Sequence, residues 1–142
     1  MLSFYFCSGQ EKIDEKAAVG DLKLADENFR NGNFEGALDE YLVLIKKDQG
    51  NEKLNYRIGV CYLNTDIDKT KAIAYLEKIK GSTSEEDVKY LLGRAYQFAL
   101  QFEDAINMFT KYKQEGKGSS ANKKEADIQL QYCINAKELI KF

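Results

Sequence analysis

A chain of 142 residues, 44% hydrophobic and 31% charged, holds enough apolar material for one buried core and too much for a disordered chain. Its formal net charge is −2 with acids and bases interspersed, so it has neither a basic footprint for nucleic acid nor a polybasic patch for a membrane. Histidine is absent, which removes the commonest general base and metal ligand, and no proline interrupts a helix.

The first nine residues stand apart from the rest. Met1-Leu2-Ser3-Phe4-Tyr5-Phe6 is an apolar run, and Cys7-Ser8-Gly9 precedes the polar Gln10-Glu11-Lys12. Small residues at Cys7 and Gly9 satisfy the small-x-small rule for signal-peptidase cleavage, with Gln10 as the mature N-terminus. A complete signal also needs a basic start and a longer apolar centre. Residues 1–9 therefore read as the back end of a secretion signal, and the expected location is periplasmic or outer-membrane-associated. The alternative is a frayed apolar N-terminus on a cytoplasmic protein. No other segment reads as a membrane span.

Apolar periodicity and the breaks between segments predict seven helices. The first covers about Glu15 to Arg30 and stops at Asn31-Gly32-Asn33, residues that tolerate left-handed backbone. The second, about Phe34 to Lys47, carries Phe34, Leu38, Tyr41, Leu42 and Ile45 on one face. The third, about Asn51 to Leu63, holds Leu54, Ile58, Cys61 and Tyr62 at helical spacing. After the connector at residues 64–68, a fourth covers about Lys69 to Ile79 and ends at Gly81. A capping box of Ser84 and Asp87 opens the fifth, about Glu85 to Ala99, with Val88, Leu92, Ala95 and Tyr96 inside. The sixth, about Phe102 to Gln114, buries Ala105, Ile106, Phe109 and Tyr112. A polar Gly/Ser stretch at residues 115–120 leads to the seventh, about Asn122 to Lys141, striped with Ala126, Leu130, Cys133 and Ile140. Cys7, Cys61 and Cys133 show no zinc or C-x-x-C spacing. Cys61 and Cys133 read as small buried hydrophobes, and the odd count of three cysteines gives a Cys61–Cys133 disulfide no support.

Within this order a period stands out. Ala25, Gly59 and Gly93 lie 34 residues apart in the settings LKLADENF, YRIGVCYL and YLLGRAYQ. A second register agrees: Ala37, Ala72 and Ala105 follow those small residues by 12, 13 and 12 positions, and Tyr41, Leu76 and Phe109 lie four further on. The pattern resembles the tetratricopeptide repeat, a unit of two helices that meet at small residues. The resemblance implies an all-α, right-handed superhelix of three helical hairpins, at about residues 18–51, 52–84 and 86–118, plus a C-terminal capping helix at about 122–141. Residues 10–142 would then form one repeat domain. Two departures occur: the proline usual at the end of each unit is missing, and Asn28 stands where the first unit should have an aromatic, with Phe29 beside it.

The stretches LNYRIGVCYLNTDIDKTKAIAYLEKI and CINAKELIKF further resemble the repeat segment that opens certain OmpA-like outer-membrane-associated proteins of Bacteroidetes. There a β-propeller and a peptidoglycan-binding domain follow. This likeness implies that the chain is a fragment, a truncated reading frame or a stand-alone relative.

In the repeat family the first helices of successive units line a concave groove that contacts a protein or peptide ligand. Carried over residue by residue, that groove takes Lys23, Asp26 and Arg30 from the first unit and Tyr56, Arg57, Val60 and Asn64 from the second. The third contributes Tyr90, Arg94, Gln97 and Phe98. Tyr56, Arg57, Tyr90 and Arg94 are expected to be partly exposed, so that truncating them leaves stability nearly unchanged. Relatives that clamp acidic C-terminal tails use Lys, Arg and Asn where this chain has Leu22, Asp26, Arg57, Asp87 and Leu91, so that clamp is not expected. No Gly-rich phosphate loop, nucleophile elbow or metal spacing occurs. The expected role is a non-catalytic, cofactor-free scaffold for protein partners. A structural spacer or a homo-oligomerisation module is the alternative.

Overall fold

Short polar side chains set most of the helix starts, because each satisfies backbone N–H groups that the first turn leaves without partners. The computed structural model describes residues 20–81 and 84–141. Among these, Asp21 accepts from the amides of Lys23 and Leu24 and opens α1 (Leu22–Arg30). Asn33 accepts from Gly36 at the start of α2 (Phe34–Leu44), and Asn51 accepts from Leu54 at the start of α3 (Glu52–Leu63). A 3-10 turn at Lys69–Lys71, capped by Asp68, leads into α4 (Ala72–Ile79). Then come α5 (Val88–Phe98), α6 (Phe102–Glu115) and α7 (Ser120–Ile140), the last capped by Ser119. The described residues contain no strand.

The expected boundaries shift at five points, the first being that the opening helix starts at Leu22 rather than Glu15, with Gly20 and Asp21 outside it and Asp21 as its cap. The second helix stops at Leu44 rather than Lys47, tightening into a turn in which the Lys47 amide donates to the Leu44 carbonyl. The fourth begins as a 3-10 turn, and the seventh starts at Ser120 rather than Asn122 because Ser119 supplies its cap. The fifth begins at Val88 rather than Glu85. Asp87 occupies its N-cap without making a capping bond, and its carboxylate instead accepts from the Tyr112 hydroxyl at 2.5 Å. The expectations for residues 1–19, including the cleavage site and the opening turn of the first helix, lie outside the described residues.

Three-residue connections after α1 and α5 turn the chain back on itself, so α1 packs on α2 and α5 on α6, while α3 packs on α4. Neighbouring pairs then meet through α2 with α3, α4 with α5 and α3 with α5, and α7 lies against α6 and α5. The small residues of the 34-residue period sit at the closest approaches within the pairs. A Cβ on Gly59 would stand 2.5 Å from Leu76 Cδ2, and one on Gly93 would stand 2.5 Å from Phe109 Cε1. Ala25, Leu76 and Phe109 are fully buried.

The core divides in two. The larger cluster runs through α1–α5, takes Met108 from α6, and includes Ala25, Leu38, Tyr41, Ile58, Cys61, Leu76 and Leu92. The smaller gathers Tyr90, Phe102, Phe109, Tyr112, Ala126 and Cys133 from α5, α6 and α7. Phe29 supplies the aromatic that Asn28 does not, meeting Phe34 edge-on at 5.6 Å and Tyr41 at 6.2 Å. Cys61 and Cys133 are free and belong to different clusters, so no bridge joins them. Burial pushes the Cys61 thiol up to about 12 against the opposing pull of Arg57, and burial raises Cys133 as well. An unfolded thiol titrates near about 8.5. Both cysteines therefore favour the folded state below that pH, and their contribution falls as the pH rises above it.

Gly93→Leu should overpack the contact with Phe109 and cost about 1–3 kcal/mol. Gly81→Ala, where an added Cβ meets nothing within 4 Å, should be neutral or stabilise by about 0.4–1 kcal/mol. Urea unfolding of both variants measures the contrast. Similar losses at the two positions would mean that the helix approach at Gly93 does not require a missing side chain.

Candidate functional site

The first-helix residues read as a ligand surface fall into two groups with different chemistry. At the N-terminal end, Asp26 on α1, Tyr41 on α2 and Arg57 on α3 close a triangle. The Tyr41 hydroxyl donates to Asp26 Oδ1 at 2.7 Å, while Arg57 Nη1 donates to Asp26 Oδ1 at 2.8 Å and to the Tyr41 oxygen at 2.7 Å. The guanidinium also lies 4.9 Å from the centre of the Phe29 ring. Burial, reinforced by the Asp26 hydrogen bond, holds the Tyr41 phenol well above its usual range, and Arg57 only partly opposes this. The phenol stays protonated and keeps donating to the carboxylate.

The side chains of Arg57 and Asp26 are only 19% and 21% exposed. Arg57 is therefore a joint between the first two helix pairs, with its charge already neutralised. The expectation that truncating it leaves stability unchanged does not fit this geometry.

At the other end, Tyr90 corrects the expectation of exposure most plainly. It is 7% exposed, with its ring 6.1 Å from Phe109 and 5.7 Å from Tyr112, because its side chain packs into the smaller core. Its hydroxyl accepts from Arg94 Nη1 at 3.2 Å. Arg94 stacks over Phe98 at 5.7 Å and forms no ion pair among the described residues. Gln97 reaches across to α7 and donates to Gln129 Oε1 at 2.6 Å. The structure thus brings Tyr90, Arg94 and Gln97 into one neighbourhood and Asp26 and Arg57 into another.

The remaining expected residues are less constrained. Lys23 and Arg30 are exposed on α1, and Asn64 is exposed at the end of α3, where its amide donates to the Val60 carbonyl at 2.8 Å. Tyr56 is partly buried; burial raises its phenol, and the charges of Glu85 and Asp87 add to the effect. The sequence pattern places Tyr41 only on the apolar face of the second helix. The signal that it is more lies in its register: Leu76 and Phe109 hold the matching positions, so only Tyr41 brings a buried hydroxyl that needs a partner. Gln129 and Tyr132 of α7 lie beside Gln97 and Arg94 and carry no sequence signal, because a helix read as a cover is assigned no ligand contacts.

Residues 54–82, spanning most of α3, the connector and α4, match the sequence profile of the tetratricopeptide repeat. Such repeats mediate protein–protein interaction and are typically non-catalytic scaffolds, and the all-helical structure is consistent with them. No curated protein matches the chain. Among the described residues, no helix is long and apolar enough to cross a membrane.

Arg57→Ala and Asp26→Ala should each destabilise the protein by about 1.5–3 kcal/mol, because each leaves a part-buried charged hydrogen-bond partner unmatched. The double variant should lose less than the sum, with a coupling of about 0.5–3 kcal/mol. Chemical denaturation of the four proteins in the cycle reads it directly. Strict additivity would reduce the triangle to a surface contact.

Proposed function

We propose that this chain is a non-catalytic scaffold of the tetratricopeptide type, holding an extended segment of a partner protein along α1, α3 and α5. In this reading the hairpins α1/α2, α3/α4 and α5/α6 wind as a right-handed superhelix, and α7 covers the flank of the last. The observation that carries the proposal is the repeated close approach: Gly59 against Leu76 lies inside the stretch that matches the repeat profile, and Gly93 against Phe109 recurs 34 residues on. A stack of such units leaves one helix of each pair facing a common groove. Lys23, Arg30, Tyr56, Asn64, Arg94 and Gln97 are the side chains there that keep some exposure and are not committed to the Asp26–Arg57 joint.

A random-peptide selection on the immobilised protein, followed by amide shift mapping of the enriched peptides, tests the reading. Shifts should concentrate on α1, α3 and α5. Enriched peptides that shift only α2, α4 and α6 would transfer the binding face to the other side.

The sequence likeness to envelope proteins and the small-x-small site before Gln10 support placement in the periplasm or at the outer membrane. With a complete signal peptide restored upstream, the intact mass of the exported chain should correspond to a start at Gln10. Full-length chain retained in the cytoplasm would remove the envelope reading.

A further inference from the structure

The cleft between α5 and α7 is where the fold leaves recognition chemistry unused. It has a volume of about 470 Å³ and is lined by Arg94, Phe98, Leu100, Phe102 and Tyr132, together with the hydrogen-bonded pair Gln97 and Gln129. That is the size of a site for side chains, not for a folded domain. Its apolar rim is open to solvent: Phe98 is 43%, Leu100 70% and Tyr132 57% exposed. Leu100 also holds a left-handed backbone, φ +59°, the one positive φ of a non-glycine residue among those described. Leucine rarely adopts that conformation, and here it presents a bulky apolar side chain at the rim.

The charge in the cleft has one sign. Among the described residues Arg94 is its only charged lining residue, and the ammonium of Lys69 lies 5.5 Å from the ring of Phe98. Arg94 spends one N–H on the Tyr90 hydroxyl, its Nε is buried with no acceptor, and no carboxylate pairs with it among the described residues. A buried guanidinium N–H without an acceptor is costly unless something arrives to accept from it. Arg57, in contrast, has Asp26. The glutamines add direction: Gln97 donates to Gln129, which donates to Glu125 at 2.6 Å. This chain leaves the Gln97 carbonyl and one N–H on each amide for a ligand's backbone.

We propose that this cleft binds an internal acidic side chain, followed by a bulky apolar one, in an extended segment of a partner protein. The carboxylate takes the free donors of Arg94, the apolar side chain sits against Leu100, Phe102 and Tyr132, and the backbone between them pairs with Gln97 and Gln129. The proposal rests on the scaffold reading and assigns the class of sequence that such a scaffold reads at its C-terminal end.

Three fluorescein-labelled peptides test it by anisotropy. The first is Ser-Gly-Glu-Leu-Phe-Gly-Ser with an amidated C-terminus, the second has Gln in place of Glu, and the third is the Gln peptide with a free C-terminus. The Glu peptide should bind at least tenfold more tightly than the amidated Gln peptide. Arg94→Gln should abolish the difference, and Lys111→Gln, exposed on α6, should preserve it. On the unmodified protein, the Glu peptide should shift the side-chain amide resonances of Gln97 and Gln129, a readout that does not depend on the variant folding. Equal binding of the two amidated peptides, or a preference that survives Arg94→Gln, overturns the assignment while leaving groove binding intact. So does tightest binding by the free C-terminus, which would make the ligand a chain end. No binding of any peptide also overturns it, whereas enriched random peptides on α1 and α3 would still uphold the scaffold.

Discussion

Two helices can approach closely only where one of them has no side chain to hold the other off, and in this chain that condition is met by glycine. The missing Cβ atoms of Gly59 and Gly93 are filled by Leu76 and Phe109, each fully buried. Because the contacts are tight, they fix the register of each helix against its partner, and so decide which faces remain to meet the next pair. A glycine within a helix costs about 1 kcal/mol relative to alanine. That cost is offset by the apolar area of a large residue seated directly on the opposing backbone. The core, the order of packing and the identity of the outward-facing residues all follow from this arrangement.

The same dependence explains why Arg57, two residues before Gly59, and Arg94, one residue after Gly93, behave differently. Arg57 lies where α1, α2 and α3 converge, and the carboxylate of Asp26 and the hydroxyl of Tyr41 are already within reach. Arg94 lies where α5 meets the covering helix α7, whose cleft-lining side chains are Gln129 and Tyr132 and whose Glu125 is engaged by Gln129 rather than by Arg94. One cation joins helix pairs and the other is left with capacity to spare. Their different places in the 34-residue register set them beside different neighbours from distant helices.

What could be read in advance follows from what is local. The helices themselves were legible because their apolar periodicity and their caps lie within a few residues of each other, as with Asn33 and Gly36 or Asn51 and Leu54. The small-to-large contacts were legible because they recur at a fixed period. The start of α5 was misread because the carboxylate expected to cap it is claimed by Tyr112, 25 residues away. Tyr90 was placed on the surface for a similar reason: its periodicity suits a groove, but the ring is covered by Phe109 and Tyr112 from α6. Both misreadings come from partners that no local pattern announces.

The division of the core carries a mechanical consequence. The cluster that holds α1 through α5 is assembled without α7, and the one beneath α7 reaches it chiefly through Leu91 and Tyr96, which pack against both. The molecule is therefore jointed rather than monolithic. Loosening α7 would uncover the smaller cluster and leave the larger one, to which α6 contributes Met108, with its packing intact, so the C-terminal end forms a separable cooperative unit. A partner bridging α5 and α7 would span that joint and act as a splint. Its binding energy would then appear as slower hydrogen exchange across the last two helices, well beyond the few residues it touches.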